Sequence, residues 1–197
     1  MAAARLTGVL LVGGASRRFG RAKALASYEG ETLAERAWRT LAHVCDERLA
    51  VGKRADALPL PFPLVDDGSD VRAPLAGIVA GLRAGSAEVA IFLPVDVPLV
   101  RPEDLRRLAD GCGEVAVPQA GPLPCAIRRA ALPALEQSLR TRELSLRAAF
   151  ARLATRVVDV DPTTLVNVNT QEDLDLLPAP DRAVPSGTRD GGARSAR

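Results

Sequence analysis

Cysteine and histidine, which carry much of the chemistry of enzymes, are both scarce in this sequence. Cysteine occurs three times, at Cys45, Cys112 and Cys125, and no two of these form a C-x-x-C pair. We therefore expect neither a disulfide framework nor a zinc site, and a reducing, cytoplasmic location. Histidine occurs once, as His43 in a helical pattern, and nothing around it suggests the Ser-His-Asp triad that would have to use it.

Long apolar runs and aromatic residues are also lacking. No run approaches the roughly 20 residues that a membrane-spanning helix requires, so no membrane segment is predicted. The start of the chain predicts a first strand rather than a signal peptide. Aromatic residues make up 3% of the chain and hydrophobic residues 47%, which predicts a sizeable core built mainly from Leu, Val and Ala.

The net charge of +2 gives little support for nucleic-acid binding. Residues 178–197 hold four arginines and two aspartates of the 26 basic and 24 acidic residues, so residues 1–177 carry 22 of each. A neutral folded part argues against a broad nucleic-acid surface. We predict one domain over residues 1–177 and a disordered tail over residues 178–197, because the tail has almost nothing to bury.

Segments that predict strands alternate with segments that predict helices. Strands are predicted at 9–12, 48–51, 64–65, 89–93, 115–117, 125–127 and 156–160. Helices are predicted at 33–44, 74–85, from 102 onward, 130–139, 144–153 and 170–177. This alternation indicates an α/β protein with a mostly parallel central sheet and helices on both faces.

A glycine-rich, basic loop follows the first predicted strand. It contains Gly13, Gly14 and Gly20, then Lys23. Crowded backbone N–H groups and basic side chains suit a polyphosphate. A P-loop needs its lysine directly after the last glycine, and a dinucleotide fingerprint needs G-x-G-x-x-G, so neither motif is present. The loop belongs to a third class of phosphate cradle, or it is a solvated glycine-rich turn.

Polar side chains follow three other predicted elements. Asp66 and Asp67 follow a short strand, and Asp96 follows an apolar strand between two prolines. A stiff carboxylate beside a phosphate cradle suits Mg²⁺, although Asp96 could equally cap its turn. Asn167 and Asn169 lie on the same side of an extended backbone. They could ligate a metal or a phosphate, or bond to their own backbone.

Together these segments resemble the MobA-like nucleotidyltransferase family. The matching blocks come in the family's order and span residues 6–177. They are Leu11-x-Gly13-Gly14-x-Ser16-x-Arg18-Phe19-Gly20-x-x-Lys23, Pro74-Leu75-Ala76-Gly77-Ile78, Pro94-Val95-Asp96-Val97-Pro98 and Val166-Asn167-Val168-Asn169-Thr170-x-Glu172-Asp173-Leu174. The first block is shared with many nucleotidyltransferases. The second and last are more specific, and are most similar to the molybdenum cofactor guanylyltransferase branch of the family.

The resemblance implies a three-layer, Rossmann-like nucleotide-diphospho-sugar transferase fold. It implies transfer of GMP from Mg-GTP to the phosphate of molybdopterin, with release of pyrophosphate. The implied nucleotide-binding residues are Leu11, Val12, Gly13, Gly14, Ser16, Lys23, Asp66 (or its neighbour Asp67) and Asp96. The implied catalytic residues are Lys23, Asp96 and Arg18, with Asp96 holding Mg²⁺. The implied acceptor-side residues are Asn167 and Asn169.

Three positions depart from the family pattern. Ala22 stands where Asp is frequent, Val95 where Cys is usual, and Leu123 where many members have His. The last position faces the acceptor side, so the nucleotide chemistry is better defined than the acceptor. Two alternatives stay open: a cytidylyl- or other nucleotidyltransferase with a different phosphorylated acceptor, and a non-catalytic nucleotide-binding module.

The main expected partners are small molecules. GTP and molybdopterin are the implied substrates, and neither a nucleic acid nor a membrane is expected. We also expect transient contact with molybdoenzymes or their chaperones, and a monomer or weak oligomer.

Overall fold

The computed structural model describes residues 5–13 and 22–178, and a mixed sheet runs through its centre. The strands of this part of the chain are Leu6–Leu11 (β1), Ser27–Tyr28 (β2), Glu31–Thr32 (β3), Glu47–Gly52 (β4), Leu64–Asp66 (β5), Val89–Pro94 (β6), Val115–Pro118 (β7), Cys125–Arg128 (β8) and Thr155–Val158 (β9). The α-helices are Leu33–Ala42 (α1), Pro74–Ala84 (α2), Pro102–Asp110 (α3), Leu132–Arg140 (α4), Leu146–Phe150 (α5) and Gln171–Asp175 (α6). Short 3₁₀ turns include Lys23–Leu25 and Pro162–Leu165.

The central sheet has the strand order β5-β4-β1-β6-β8-β7-β9. The pairs β5–β4, β4–β1, β1–β6 and β7–β9 are parallel, and β8 runs antiparallel to both of its neighbours. The prediction of a mostly parallel sheet is therefore confirmed. Leu11 is in register with Val51 on one side and Pro94 on the other, so three strands end together at one edge.

Helices cover both faces of the sheet, as predicted. Leu10 and Val12 pack into a core that includes α1, α3 and α6, whereas Val9 and Leu11 pack into a second core with α2, α4 and α5. Alternate residues of one strand thus serve opposite cores, which is the pleat of a sheet buried on both sides.

Glycines bring α2 unusually close to β1. A Cβ added at Gly77 would lie 2.8 Å from Leu11 Cδ2, and one added at Gly81 would lie 2.7 Å from Val9 Cγ1. The four-residue spacing keeps these glycines on one helix face. The contact fixes the start of α2 beside the end of β1, where the candidate site lies.

Several predicted elements differ in extent from those observed, most by one to three residues at an end. The helix predicted over 144–153 is confined to α5, because the Ser145 hydroxyl accepts a hydrogen bond from the Ala148 N–H and so sets the first turn. The strand predicted at 156–160 is β9, displaced toward the amino end. Of the predicted tail, only Pro178 lies within the described residues, and its carbonyl accepts a hydrogen bond from the Tyr28 hydroxyl at 2.5 Å.

The three cysteines are free thiols. Burial raises the pKa of Cys45 to about 12 and raises the pKa of Cys112 and of Cys125 as well. They are therefore protonated core residues near neutral pH. Across the described residues, no helix has both the length and the apolar character needed to cross a bilayer.

Candidate active site

A cleft of about 420 Å³ opens where β1, β4 and β6 end. This is the edge at which open α/β sheets bind their ligands. The cleft is lined by Leu11, Gly13, Val51, Gly52, Lys53, Asp67, Arg72, Ala73, Pro74, Gly77, Pro94, Asp96, Ala120, Gly121, Pro122, Leu123, Arg147, Leu165 and Asn167.

Two glycines at neighbouring strand ends form part of the wall. Gly52 is required by packing, because an added Cβ would lie 2.8 Å from Val12 Cγ2. Gly13 is different: among the described residues, an added Cβ would meet only Gly52 Cα, at 3.8 Å. Because Gly13 has no side chain, the space that a Cβ would occupy belongs to the cleft. Val12, predicted to bind nucleotide, has its side chain in the core and does not line the cleft.

Lys23, Asp96 and Asn169 come together from distant parts of the chain. Lys23 Nζ lies 3.4 Å from Asp96 Oδ2 and donates a hydrogen bond to Asn169 Oδ1 at 3.2 Å. The Asp96 carbonyl accepts a hydrogen bond from the Val168 N–H at 2.8 Å, which ties the two loops together. Asp96 and Asn167 both line the cleft. The structure thus groups these predicted site residues around one carboxylate.

The start of α6 fixes the position of Asn169. The Asp173 carboxylate accepts hydrogen bonds from the Asn169 N–H at 2.7 Å and the Thr170 N–H at 2.9 Å, and the Thr170 hydroxyl accepts one from the Asp173 N–H. The backbone donors hold the pKa of Asp173 below its ordinary value. This capping box leaves the amide side chain of Asn169 directed to Lys23.

The two adjacent aspartates after β5 have different surroundings. The Asp66 carboxylate accepts hydrogen bonds from the N–H groups of Arg54 and Gly68, which hold its pKa below the ordinary value. Asp66 does not line the cleft, whereas Asp67 does and pairs with Lys53. The geometry therefore favours Asp67, the alternative, over Asp66 as the residue available to a ligand.

Three basic side chains in the cleft were missing from the sequence prediction. Lys53 follows β4, just as Asp96 follows β6. Because ligands of α/β sheets bind at the carboxyl ends of strands, this position could have been used to predict Lys53 from the sequence. Arg72 pairs with Asp56 at 2.7 Å. Arg147 comes from α5, and no motif marks it. It lines the cleft together with Leu123, the residue predicted to face the acceptor.

The oxygen donors near Asp96 fit Mg²⁺. They are one carboxylate, 30% exposed, and the amide oxygens of Asn167 and Asn169. Within the described residues, no group of three or more His, Cys, Asp or Glu side chains is placed to hold a metal. Magnesium commonly uses one or two carboxylates and takes its other ligands from phosphate and water. The residues therefore suit a metal that arrives with a phosphorylated substrate.

Three of the predicted site residues lie outside the described residues: Gly14 and Ser16, predicted to bind nucleotide, and Arg18, predicted to be catalytic. Their roles stay predictions. The residues on either side are informative: Gly13 lines the cleft, and Lys23 contacts Asp96. The described residues that flank this part of the loop therefore lie at the cleft and beside Asp96.

Comparison with known proteins identifies this α/β fold as a nucleotidyltransferase domain. The chain belongs to the MobA-like NTP transferase family, whose domain model matches residues 8–158. It is 30% identical over 191 residues to the molybdenum cofactor guanylyltransferase of Desulfosudis oleivorans, covering 88% of this chain and 95% of that protein. It is 34% identical over 197 residues to the probable molybdenum cofactor guanylyltransferase of Chloroflexus aggregans, covering 88% and 94%.

Solved structures agree on the fold. The molybdopterin-guanine dinucleotide biosynthesis protein A of Archaeoglobus fulgidus superposes with a TM-score of 0.73 at 24% identity, covering 86% of this chain and 95% of that one. The 4-diphosphocytidyl-2C-methyl-D-erythritol synthase of Anaerococcus prevotii superposes with a TM-score of 0.68 at 14% identity, covering 87% and 95%. Both likenesses lie at or below 24% identity, and they show the fold alone.

Proposed function

We propose that this chain transfers GMP from Mg-GTP to the phosphate of molybdopterin, forming the guanine dinucleotide cofactor and pyrophosphate. The observation that carries the proposal is that Gly13, which leaves open space after β1, and Asp96, which follows the neighbouring strand β6, line the same cleft. The names of the curated relatives support the same reaction. The free thiols are typical of a reducing cytoplasm, which is the proposed location.

The base would lie against Leu11 and Gly13. A purine is larger than a pyrimidine, and the missing Cβ at Gly13 provides room for it. Asp67 is the carboxylate available to the nucleoside. Backbone groups at the strand end would read the guanine edge, and a base that left them unpaired would be disfavoured by about 1–3 kcal/mol per group.

The triphosphate would lie toward Lys23 and Asp96. The Lys23 ammonium would bind phosphate oxygens, and the Asn169 amide holds it in place. Mg²⁺ held by Asp96 with the amide oxygens of Asn167 and Asn169 would supply charge neutralisation at the phosphates. Arg18 is proposed to add a second cation to the same group.

The reaction would be an in-line attack by an acceptor phosphate oxygen on the α-phosphorus. The new P–O bond forms as the bond to pyrophosphate breaks. The nucleophile is already an anion, so no general base is needed, and His43 does not line the cleft. Catalysis would come from positioning and charge neutralisation. Arg147 and Leu123, on the far side of the cleft, would receive the acceptor's phosphate and its apolar surface.

The direct test is to incubate the chain with Mg²⁺, molybdopterin or its molybdenum form, and GTP or CTP. Pyrophosphate release and product mass are measured together. We expect equal amounts of guanine dinucleotide and pyrophosphate, with GTP favoured over CTP by at least about tenfold. Equal use of CTP would overturn the guanylyl assignment alone. Absence of pyrophosphate with every nucleotide would overturn the transferase proposal.

A further inference from the structure

Lys53 and Asp67 form the most enclosed ion pair at the cleft that the described residues contain. Lys53 Nζ lies 2.7 Å from Asp67 Oδ1, and the two side chains are only 12% and 8% exposed. Lys53 Nζ also donates to the Ser69 carbonyl, and Asp67 Oδ1 accepts a second hydrogen bond from the Ser69 N–H at 3.0 Å. Lys53 therefore has little freedom to turn toward a ligand.

The register of the sheet creates this pair. Gly52 at the end of β4 is in register with Asp66 at the end of β5. The residues that come next, Lys53 after β4 and Asp67 after β5, therefore lie side by side. The Asp67 N–H donates to the Gly52 carbonyl at 2.9 Å, which continues the ladder by one residue. The side chains of Lys53 and Asp67 then meet across the two parallel strands.

We propose that Lys53 is a positioning residue that acts through Asp67. It binds one carboxylate oxygen, Oδ1, and within the described part of the chain the other oxygen, Oδ2, has no hydrogen-bond partner. Lys53 thereby presents Oδ2 to the nucleoside and neutralises the carboxylate beside an incoming polyanion. The inference rests on the proposed function, because it takes a nucleotide as the ligand of this cleft.

Charge explains why the pair would affect binding more than the chemical step. Without Lys53, a nearly buried carboxylate would be left unpaired, which is strongly unfavourable. A nucleoside triphosphate would then approach an uncompensated negative charge of the same sign as its own. Asp67 follows β5 and Asp96 follows β6, at different strands of the sheet, so the reacting phosphates are served by other residues.

The test combines four variants: Lys53→Met, Lys53→Arg, Asp67→Asn and the double variant Lys53→Met with Asp67→Asn. Affinity for Mg-GTP is measured by calorimetry, and kcat and KM by pyrophosphate release. We expect Lys53→Met to weaken nucleotide affinity by about tenfold or more while kcat stays within about threefold. Lys53→Arg should restore most of the affinity, because it keeps the charge.

The double variant tests whether Lys53 affects nucleotide affinity through Asp67. If Lys53 acts only through Asp67, adding Lys53→Met to Asp67→Asn should weaken affinity by no more than about twofold. The matched control is Arg83→Met, which removes a cation that does not line the cleft and whose ion pair with Glu136 is 62% and 27% exposed. We expect that control to change affinity only slightly.

Two outcomes would overturn the proposal. One is additive loss in the double variant, and the other is a lower kcat at unchanged affinity in Lys53→Met. If Lys53→Met fails to fold, the comparison of Asp67→Asn with the charge-free double variant decides the same question. Failure of the proposed function gives a different result, namely no binding of Mg-GTP by the unaltered chain.

Discussion

The two sides of the cleft are formed by different kinds of structural element. The side formed by the parallel strands β5, β4 and β1 combines strand ends, namely Gly13, Gly52 and the pair Lys53–Asp67, with the start of α2. The other side lies beyond β6, where β8 reverses the direction of the sheet. There the lining comes from loops and a short helix, including Leu123 and Arg147.

Under the proposed function, this difference separates nucleotide binding on one side from acceptor binding on the other. On the parallel side, backbone register fixes the site, so a substitution must change backbone space or a strand-end side chain to alter nucleotide choice. On the opposite side, individual side chains define the surface, so the acceptor can change by substitution without disturbing the sheet. Asp96 follows β6, at the boundary, and should matter to both.

The largest effect is expected for Asp96→Asn. The amide keeps the shape of the carboxylate and removes its charge, so the Lys23 ion pair and the proposed metal ligand are lost while the fold is kept. We expect transfer to fall by more than about a thousandfold. Melting curves serve as the control for folding. Transfer within about threefold of the unaltered chain at saturating Mg²⁺ would contradict the role.

Lys23→Ala should have the next largest effect. It removes a cation held between Asp96 and Asn169. We expect weaker nucleotide binding together with slower transfer, about 2–3 kcal/mol in total. Calorimetry with Mg-GTP separates the two contributions. Unchanged affinity would place Lys23 outside the phosphate site.

The two sides also differ in how far the sequence could predict them. Asp96 was predicted because a carboxylate that follows an apolar strand lies at a known edge of the sheet, and Gly13 because it opens a glycine-rich, basic loop that resembles the family's first motif. The sequence could not decide between Asp66 and Asp67, because a one-residue difference in register decides which carboxylate faces the cleft. Arg147 could not be predicted, because its place depends on how α5 packs against the sheet.

Substitution of Arg147 tests the acceptor side by itself. We expect Arg147→Ala to raise the KM for the acceptor by about tenfold and to leave Mg-GTP affinity unchanged. The matched control is Arg142→Ala, since Arg142 is 69% exposed, pairs with the exposed Asp70 and does not line the cleft. A loss of nucleotide affinity in Arg147→Ala would remove the distinction between the two sides.

Base choice tests the nucleotide side. Gly13→Ala adds a methyl group that the described protein atoms tolerate, so the space is lost from the cleft. We expect the preference for GTP over CTP to narrow by about threefold or more. Gly121→Ala is the control, because Gly121 lines the opposite side and has no described atom within 4 Å of an added Cβ. An equal change in both variants would contradict the assignment of Gly13.

The smallest effect is expected from removing the chain end, which belongs to neither side of the cleft. A chain that stops after Pro178 keeps an acceptor for the Tyr28 hydroxyl, now an oxygen of the terminal carboxylate, so its melting temperature and transfer rate should be unchanged. Stopping after Leu177 leaves the nearly buried Tyr28 hydroxyl without this acceptor. Burial raises the pKa of Tyr28, so the hydroxyl stays protonated and needs a partner.

Losing that single hydrogen bond should lower the melting temperature by about 2–4 °C, with transfer unaffected. Tyr28→Phe in the chain that stops after Pro178 is the matched comparison, because it removes the donor instead of the acceptor. Stopping after Leu177 in the Tyr28→Phe background should then cause little further change, since no hydroxyl is left unsatisfied. A large fall on stopping after Pro178 would show instead that residues 179–197 stabilise the domain, and would place its boundary beyond residue 177.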